Sequence, residues 1–305
     1  MSNTDYHVPV MLKECINGLA IKPDGIYVDI TFGGGGHSRA IMEQLTTGKL
    51  LSFDQDEDAK KNTEGFDKEK FTFIQANFRH IRKFLRVYGV KKVDGILADL
   101  GVSSFQIDTA ERGFSTRFDA DLDMRMNRKI GPSAKDVINT YSVGDLHKIF
   151  GMYGELKNAK TAAQTIDMAR SGTTINTVEE LKAILEPIAP RFKEFKYFAQ
   201  VFQALRIEVN EEMKALEEFL FQVPDLLSPS GRLVVMSYHS LEDRMVKNYI
   251  KCGHLHGQLE KDFFGNVLKP LKAVSRKPIM ASTEELESNP RARSSKLRVA
   301  EKPKE

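Results

Sequence analysis

The stretch from Ile26 to Ser38 constrains the fold more than any other part of this chain. A short run rich in β-branched and aromatic residues leads into four consecutive glycines, Gly33–Gly36, and an apolar-periodic segment follows at Ala40–Leu45. This order predicts a strand, a tight turn and a helix. Glycine tolerates positive φ and lets a ligand approach the backbone, while the N–H groups of a helix start suit a polar or anionic ligand. A glycine turn can also merely close a loop, so the rest of the chain must decide between the two interpretations.

Three more strand-like segments follow the glycine turn, at residues 50–54, 71–76 and 93–98. Their carboxyl ends lead to Asp54, Phe78 and Asp99. Strands that alternate with helices form right-handed βαβ units and a parallel sheet. In such sheets the ligand binds beyond the carboxyl ends of the strands, which is where the glycine turn and these three residues converge. The sequence therefore predicts an α/β fold with its ligand site at that edge of the sheet.

The strand pattern stops after residue 107 and returns near residue 208. Helical signals recur between these points, including a capping box at Thr177–Glu180 and a stripe of Phe195, Phe198 and Phe202 that we assign to a core. The predicted organisation is a discontinuous α/β domain of residues 1–107 and 208–305. A helical insertion domain of residues 108–207 interrupts it, on the substrate side.

The second part of the α/β pattern begins with a helix that we expect Asn210 to cap. A fifth strand is predicted at Arg232–Ser237, and Ser240 and Asp243 match a capping box for the helix that follows. We expect His239 to contribute to capping and to line the cleft at the end of this strand. Further short strands are predicted near the end of the chain, at 271–274 and 297–299.

Composition excludes several classes of protein. The 45 basic and 42 acidic residues leave a net charge of +3, which argues against an extreme electrostatic partner, although local patches can bind nucleic acid. Two cysteines, Cys15 and Cys252, cannot make a disulfide framework and favour a reducing cytoplasm. Cys252, His254 and His256 lack a second ligand pair at structural-zinc spacing, so we expect surface residues there and no metal. No apolar run approaches the roughly 20 residues of a membrane span. We therefore expect a cytoplasmic protein without membrane contact.

Two ligands fit a glycine turn followed by an acidic residue after the second strand: a dinucleotide and S-adenosylmethionine. The dinucleotide fingerprint requires a glycine where this chain has Ser38, and no further basic anchor for a pyrophosphate lies nearby. S-adenosylmethionine needs a carboxylate for its ribose and a cradle for its adenine, which Asp54, Phe78 and Asp99 can supply. We favour S-adenosylmethionine; a dehydrogenase and a non-catalytic RNA-binding protein are the alternatives.

Seven stretches of the chain form an ordered set of motifs: His7–Leu12, Thr31–Ser38, Asp99–Ser104, Glu111–Ser115, Leu122–Met126, His239–Arg244 and Asn289–Ser295. In this order they resemble the MraW-type methyltransferases, bacterial enzymes that methylate N4 of a cytosine in 16S ribosomal RNA. The resemblance implies a class I S-adenosylmethionine-dependent methyltransferase, Rossmann-like with a mostly parallel sheet and a helical insertion domain. Its target would be a cytidine in the decoding region. The chain departs from the family at Lys196–Val201, where the family usually has His-Pro-Ala-Thr-Arg-Thr.

The resemblance also implies roles for individual residues. The cofactor contacts would be Gly35, Gly36 and His37 in the turn, Asp54 on the ribose, Phe78 beside the adenine, and Asp99 and Gln106 at the remaining contacts. Beyond the resemblance, we predict that Asp99, or backbone carbonyls of Asp99–Ser103, accept a hydrogen bond from the cytosine amino group, which makes Asp99 the catalytic candidate. The candidate RNA contacts are Arg112, Arg125, Arg206, His239, Arg291 and Arg293, although each arginine could equally form a structural salt bridge. The implied partner is 16S ribosomal RNA within the small ribosomal subunit, and a homodimer is compatible with this assignment.

Overall fold

The computed structural model describes residues 9–304, so His7 and Val8 of the first motif lie outside the described residues. The chain forms two compact units, one of residues 9–101 and 214–304 and the other of Val102–Met213. The chain passes between the units after residues 101 and 213. The sequence pattern predicts these boundaries after residues 107 and 207, so each one differs by six residues. None of the helices within residues 9–304 is long and apolar enough to cross a membrane.

A seven-stranded sheet organises the first unit. Its strands are β1 (Ile26–Asp29), β2 (Lys49–Asp54), β3 (Phe71–Gln75), β4 (Val93–Asp99), β5 (Leu227–Ser237), β6 (Lys272–Ala273) and β7 (Lys296–Glu301). Their order across the sheet is β3-β2-β1-β4-β5-β7-β6. Strands β1 to β5 pair in parallel, whereas β7 runs antiparallel to both β5 and β6. The predicted Rossmann-like, mostly parallel sheet is therefore confirmed.

Helices cover both faces of this sheet. The helices of the first unit are α1 (Leu12–Leu19), α2 (Gly36–Gln44), α3 (Ile81–Val87), α10 (Glu212–Leu226, which begins just before the unit does), α11 (Ser240–Cys252) and α12 (Thr283–Ser288). Alternate strand residues enter different apolar clusters: Val28 and Ile96 pack in one, and Tyr27 and Leu97 in the other. Since successive side chains of a strand point to opposite faces, the two clusters are the two layers between sheet and helices.

The second unit is built from helices around its own core. Its helices are α4 (Ser104–Asp108), α5 (Ala134–Thr140), α6 (Val143–Met152), α7 (Ala159–Arg170), α8 (Val178–Leu185) and α9 (Glu194–Val209). The predicted capping box at the start of α8 is present, with Thr177 and Glu180 bonding each other's backbone N–H groups. Phe198 and Phe202 of the aromatic stripe lie in the core, but Phe195 is 79% exposed, so its assignment to the core is wrong.

Three local predictions are also corrected. Asn210 does not cap α10; it follows α9, and its side-chain amide donates to the carbonyls of Met124 and Arg206. The capping box of α11 begins one residue earlier than expected, because His239 rather than Ser240 is its N-cap. Cys252 is buried, with its Sγ donating to a backbone carbonyl one turn back in α11, so it is not a surface residue.

Candidate active site

The turn between β1 and α2 is fixed by a buried carboxylate. Asp29 ends β1 and accepts hydrogen bonds from the N–H of Thr31 at 3.0 Å and the hydroxyl of Ser38 at 2.7 Å. Ser38 lies in the first turn of α2, so Asp29 ties the strand end to the helix start. Burial raises the pKa of Asp29, while these donors act in the opposite direction. The turn is therefore a rigid platform at the carboxyl edge of the sheet.

Two of the predicted contact glycines, Gly35 and Gly36, are required by the local structure of the turn. Gly35 has φ 78°, a left-handed conformation that side-chain-bearing residues seldom adopt, and it directly precedes α2. A Cβ on Gly36 would collide with the ring of Pro9. At neighbouring Gly34 a Cβ would have no protein atom within 4 Å. The turn thus presents open backbone at its tip, which is what a ligand in close contact with peptide groups requires.

Asp54 lies at the end of β2 and faces the glycine turn. Its carboxylate accepts the N–H of Gly33 at 2.8 Å and the N–H of Asp56 at 2.9 Å, one on each oxygen. Burial raises the pKa of Asp54 to about 6, although the two backbone donors act in the opposite direction. Each carboxylate oxygen can accept a second hydrogen bond, so the group is oriented and still able to hold hydroxyl donors.

Asp99 ends β4 and has polar neighbours on several sides. Tyr238, the residue after β5, donates its hydroxyl to Oδ1 at 2.8 Å, and the Asp99 N–H donates to the hydroxyl of Thr31 at 2.7 Å. Burial raises the pKa of Asp99 to about 6, although the Tyr238 hydrogen bond acts in the opposite direction. The side chain is therefore held in one orientation and ionises close to neutral pH.

His37 faces Asp99 as a neutral acceptor. Burial lowers its pKa, and its Nε2 lies 3.2 Å from the carbonyl oxygen of Val10, which can only accept. Nε2 therefore carries the proton, and Nδ1 presents a lone pair 3.7 Å from Oδ2 of Asp99. Two acceptors that face the same space favour a ligand group that carries N–H donors.

Carboxylates dominate the charge of this edge of the sheet. Asp29, Asp54 and Asp99 lie at the ends of three adjacent strands, and Asp29 raises the pKa of both of the others by charge repulsion. Such a field repels a pyrophosphate and attracts a cation. S-adenosylmethionine carries a sulfonium and an ammonium group, and its ribose offers hydroxyl donors. The donor and acceptor set therefore fits S-adenosylmethionine and argues against the dinucleotide alternative.

The remaining predicted cofactor residues divide between the units. Phe78 lies just beyond β3, half-buried and edge-on to Phe219 with ring centroids 5.6 Å apart, so one side of its ring is supported by the core. Gln106 belongs to the second unit, where it is buried in α4 and its Oε1 accepts the N–H of Ser103 in a capping box. Its side chain has a structural function in α4, and a contact with the cofactor stays a prediction.

The predicted arginine contacts in the second unit are mostly engaged in structure. Arg125 bonds both carboxylate oxygens of Asp123, at 2.7 and 3.1 Å, and Arg206 bonds both oxygens of Glu212, at 2.8 and 3.0 Å. Arg112 is buried and donates to the carbonyls of residues 125 and 126, at 3.0 and 3.2 Å. Arg112 therefore links the Glu111–Ser115 motif to the Leu122–Met126 motif, and a contact between Arg112 and RNA stays a prediction.

Replacement of Arg112 with methionine is expected to lower the free energy of unfolding by about 2–4 kcal/mol, because two carbonyls lose charge-assisted donors. Thermal denaturation measures the change. Arg128→Met is the matched control, since Arg128 is exposed and its guanidinium donates to a backbone carbonyl only at 3.3 Å. If Arg112→Met kept the parent's stability and weakened only RNA binding, the structural role would be wrong. Arg112 would then contact an RNA phosphate.

The last three candidate RNA contacts lie in the first unit. His239 is the N-cap of α11, with Nδ1 accepting the N–H of Glu242 at 3.4 Å and Nε2 lying 3.1 Å from that carboxylate. The capping role of His239 is confirmed, and a contact between His239 and RNA stays a prediction. Arg291 and Arg293 lie in a short 3₁₀ helix, Pro290–Ser294, and Arg293 is exposed to solvent. Arg293 is thus the most accessible of the six predicted contacts.

Sequence reasoning missed Tyr238 and Thr31, which position Asp99. Tyr238 directly follows the predicted fifth strand, so the rule that selected Asp54 and Asp99 at strand ends would also have selected it. Thr31 lies inside the motif that contains the glycine turn. Neither residue carries a charge, and for that reason neither stood out as a candidate.

The strand order with its antiparallel β7, together with the acidic strand ends beside an open glycine turn, defines a class I S-adenosylmethionine-dependent methyltransferase. The chain belongs to the MraW methylase family, whose sequence model matches residues 4–303. It is 58% identical over 297 residues to Ribosomal RNA small subunit methyltransferase H of Cytophaga hutchinsonii, covering 97% of this chain and 99% of that one. Proteins of the same name from Phocaeicola vulgatus and Bacteroides thetaiotaomicron are 55% and 54% identical, each over 97% of both chains.

Proposed function

We propose that this protein transfers a methyl group from S-adenosylmethionine to the exocyclic N4 of a cytidine in the decoding region of 16S ribosomal RNA. The observation that carries the proposal is the oriented carboxylate of Asp99 beside the glycine turn, at an edge of the sheet rich in acceptors. Membership of the MraW methylase family supports it, as do the names of relatives that match nearly the full chain. The target base has to leave its stack to enter such a site.

The residues of the site mainly position S-adenosylmethionine and the target cytosine, and contribute less to chemical activation of either. When bound, S-adenosylmethionine supplies an activated methyl group. Asp54 accepts hydrogen bonds from ribose hydroxyls, and Phe78 flanks the adenine ring. Asp99 accepts a hydrogen bond from the cytosine amino group, which turns the nitrogen lone pair out of the ring system and towards the methyl group. With its pKa at about 6, Asp99 is ionised at neutral pH and can take the proton that the amino group loses.

The proposal extends to the setting of the reaction. We take the substrate to be 16S ribosomal RNA within the small ribosomal subunit, in the cytoplasm. The second unit is assigned to the substrate side, and exposed Arg293 to a phosphate contact. A homodimer stays a prediction.

The rate of transfer should depend on pH through Asp99. We expect kcat/KM to rise between about pH 5 and pH 7, because the Asp99 carboxylate must be ionised to accept from the amino group and its pKa is about 6. Tyr238→Phe removes a hydrogen bond that lowers the pKa of Asp99, so its profile should shift to higher pH. Binding of S-adenosylmethionine, measured separately over the same range, corrects for titration of Asp54. If the pH profile of Tyr238→Phe matched that of the parent, ionisation of Asp99 would not be the cause of the rise in kcat/KM between about pH 5 and pH 7.

The function is tested by transfer of labelled methyl from S-adenosylmethionine to small ribosomal subunits that lack their native modification. The RNA is then digested to nucleosides. Label in N4-methylcytidine supports the proposal, whereas label in another nucleoside contradicts the target atom. Bound S-adenosylmethionine without any transfer to RNA would favour the non-catalytic RNA-binding alternative.

A further inference from the structure

A short segment of the second unit exposes two phenylalanine side chains to solvent. All residues from Pro190 to Lys196 are exposed, and we call this stretch the aromatic–basic segment. Phe192 is 98% exposed and Phe195 is 79% exposed, although Phe198 and Phe202 further along α9 are buried in the core. Exposed phenylalanines also occur elsewhere in the chain, as at Phe263 and Phe264, so exposure alone does not assign a function to this pair.

The backbone of the same segment is strained. The N–H of Lys193 donates to the carbonyl of Pro190 at 3.0 Å, which closes a four-residue turn. Phe192 occupies the third position of this turn with φ 63°, in the left-handed region where turns usually have glycine or asparagine. Glu194 stabilises the turn by accepting the N–H of Phe192 at 3.0 Å. The chain therefore keeps a phenylalanine at a position where glycine or asparagine would be less strained.

Cations alternate with the aromatic residues. Arg191, Lys193 and Lys196 flank Phe192 and Phe195, and Glu194 is the segment's one acidic residue. Within residues 9–304, none of these three cations forms an ion pair. Aromatic side chains interleaved with unpaired cations combine the two elements of single-stranded nucleic-acid binding, which are stacking surfaces for bases and positive charge for the backbone.

We propose that the aromatic–basic segment is a stacking platform for unpaired bases of the RNA substrate, with Phe192 and Phe195 as the stacking side chains. The three cations contact the phosphates on either side of the stacked bases. This inference rests on the proposed function, because it takes the partner to be the RNA that the enzyme methylates. It adds a binding site outside the acidic edge of the sheet. A protein partner is the less favoured occupant, since lysine is depleted from the cores of protein interfaces.

The first experiment compares a double variant, Phe192→Ala with Phe195→Ala, with the parent protein. The probes are unmodified small subunits and protein-free 16S ribosomal RNA at one fixed salt concentration. We expect the dissociation constant for RNA to rise at least about tenfold, because alanine substitution of a single stacking aromatic weakens binding by about 5- to 150-fold. Affinity for S-adenosylmethionine and kcat at saturating RNA should stay at the parent's values.

The matched control is the pair Phe263→Ala and Phe264→Ala in the first unit, which are 97% and 84% exposed in the parent. This control should bind RNA as the parent does. Unchanged RNA affinity in the Phe192 and Phe195 variant would overturn the inference. Weaker binding to assembled subunits together with unchanged binding to protein-free RNA would also overturn it, in favour of a protein contact. Lack of methyl transfer by the parent itself would contradict the proposed function instead.

A second experiment distinguishes stacking from a structural role. The chain has no tryptophan, so Phe192→Trp introduces a single fluorescent reporter, which RNA should quench. Phe263→Trp is the control, and its emission should not change. Phe192→Gly should raise Tm by relieving the left-handed strain and at the same time weaken RNA binding. If Phe192 had only a structural role, RNA would not quench the tryptophan of Phe192→Trp. Phe192→Gly would then not combine a higher Tm with weaker RNA binding.

Discussion

Replacing Asp99 with alanine is expected to reduce methyl transfer by about 10³-fold in folded protein that is kept saturated with S-adenosylmethionine. Loss of one preorganised polar group at a reaction centre typically costs about 10²- to 10³-fold, and misorientation of the amino group adds to that loss. The carboxylate is also the partner of Tyr238 and faces His37, so both lose a polar contact. The measurement is kcat with labelled methyl, with cofactor affinity determined by calorimetry.

Two variants control for this result. Tyr238→Phe removes the hydrogen bond that orients Asp99 but keeps the carboxylate, so its loss of rate should be smaller. Asp99→Asn keeps the shape and one acceptor oxygen while it removes the negative charge, and an intermediate rate is expected. Near-normal turnover in Asp99→Ala would contradict this role for Asp99. The backbone carbonyls that follow β4 would then be the acceptors of the hydrogen bond from the cytosine amino group.

Replacing Asp54 with alanine is expected to raise the dissociation constant for S-adenosylmethionine by about 100-fold. A carboxylate that accepts from ribose hydroxyls contributes about 1.5–3 kcal/mol through charge-assisted hydrogen bonds. The N–H groups of Gly33 and Asp56 lose their acceptor in this variant, so the glycine turn also loosens. Calorimetric titration measures the affinity, and thermal denaturation measures the accompanying loss of stability.

The control must separate the ribose contact from the loosened loop. Asp56→Ala serves this purpose, because Asp56 caps the short 3₁₀ helix after β2 by accepting the N–H of Asp58 at 3.1 Å. This variant should lose stability and keep most of its cofactor affinity. If Asp54→Ala and Asp56→Ala lost cofactor affinity equally, Asp54 would act through the loop and not through the ribose.

The strands of the sheet could be predicted because the sequence patterns that specify them lie within short segments of the chain. Period-two runs and the glycine turn locate β1 to β5, and the rule that ligands bind at strand ends then selects Asp54 and Asp99. The exact starts of helices were less predictable, as the shift of the α11 cap from Ser240 to His239 shows, because neighbouring polar residues compete for one capping position.

Properties that depend on distant partners were not predictable. Tyr238 contacts Asp99 only because β4 and β5 are neighbours, although the two residues are 139 positions apart. Arg112 looked like a surface cation because charged residues seldom lie buried, yet two backbone carbonyls satisfy it in the folded chain. Phe195 has the spacing of a core residue, but it belongs to the first turn of α9, which exposes it to solvent.

The insertion between neighbouring strands also affects how the protein folds. Strand β4 ends at Asp99 and β5 begins at Leu227, although the two pair directly in the sheet. Loop-closure entropy grows by only about 0.6 kcal/mol for each doubling of loop length, so the insertion costs little equilibrium stability. Folding rates, however, fall as contacts become more distant in sequence. We therefore expect the helical unit to form early from its local contacts, and the pairing of β4 with β5 to be the slow step.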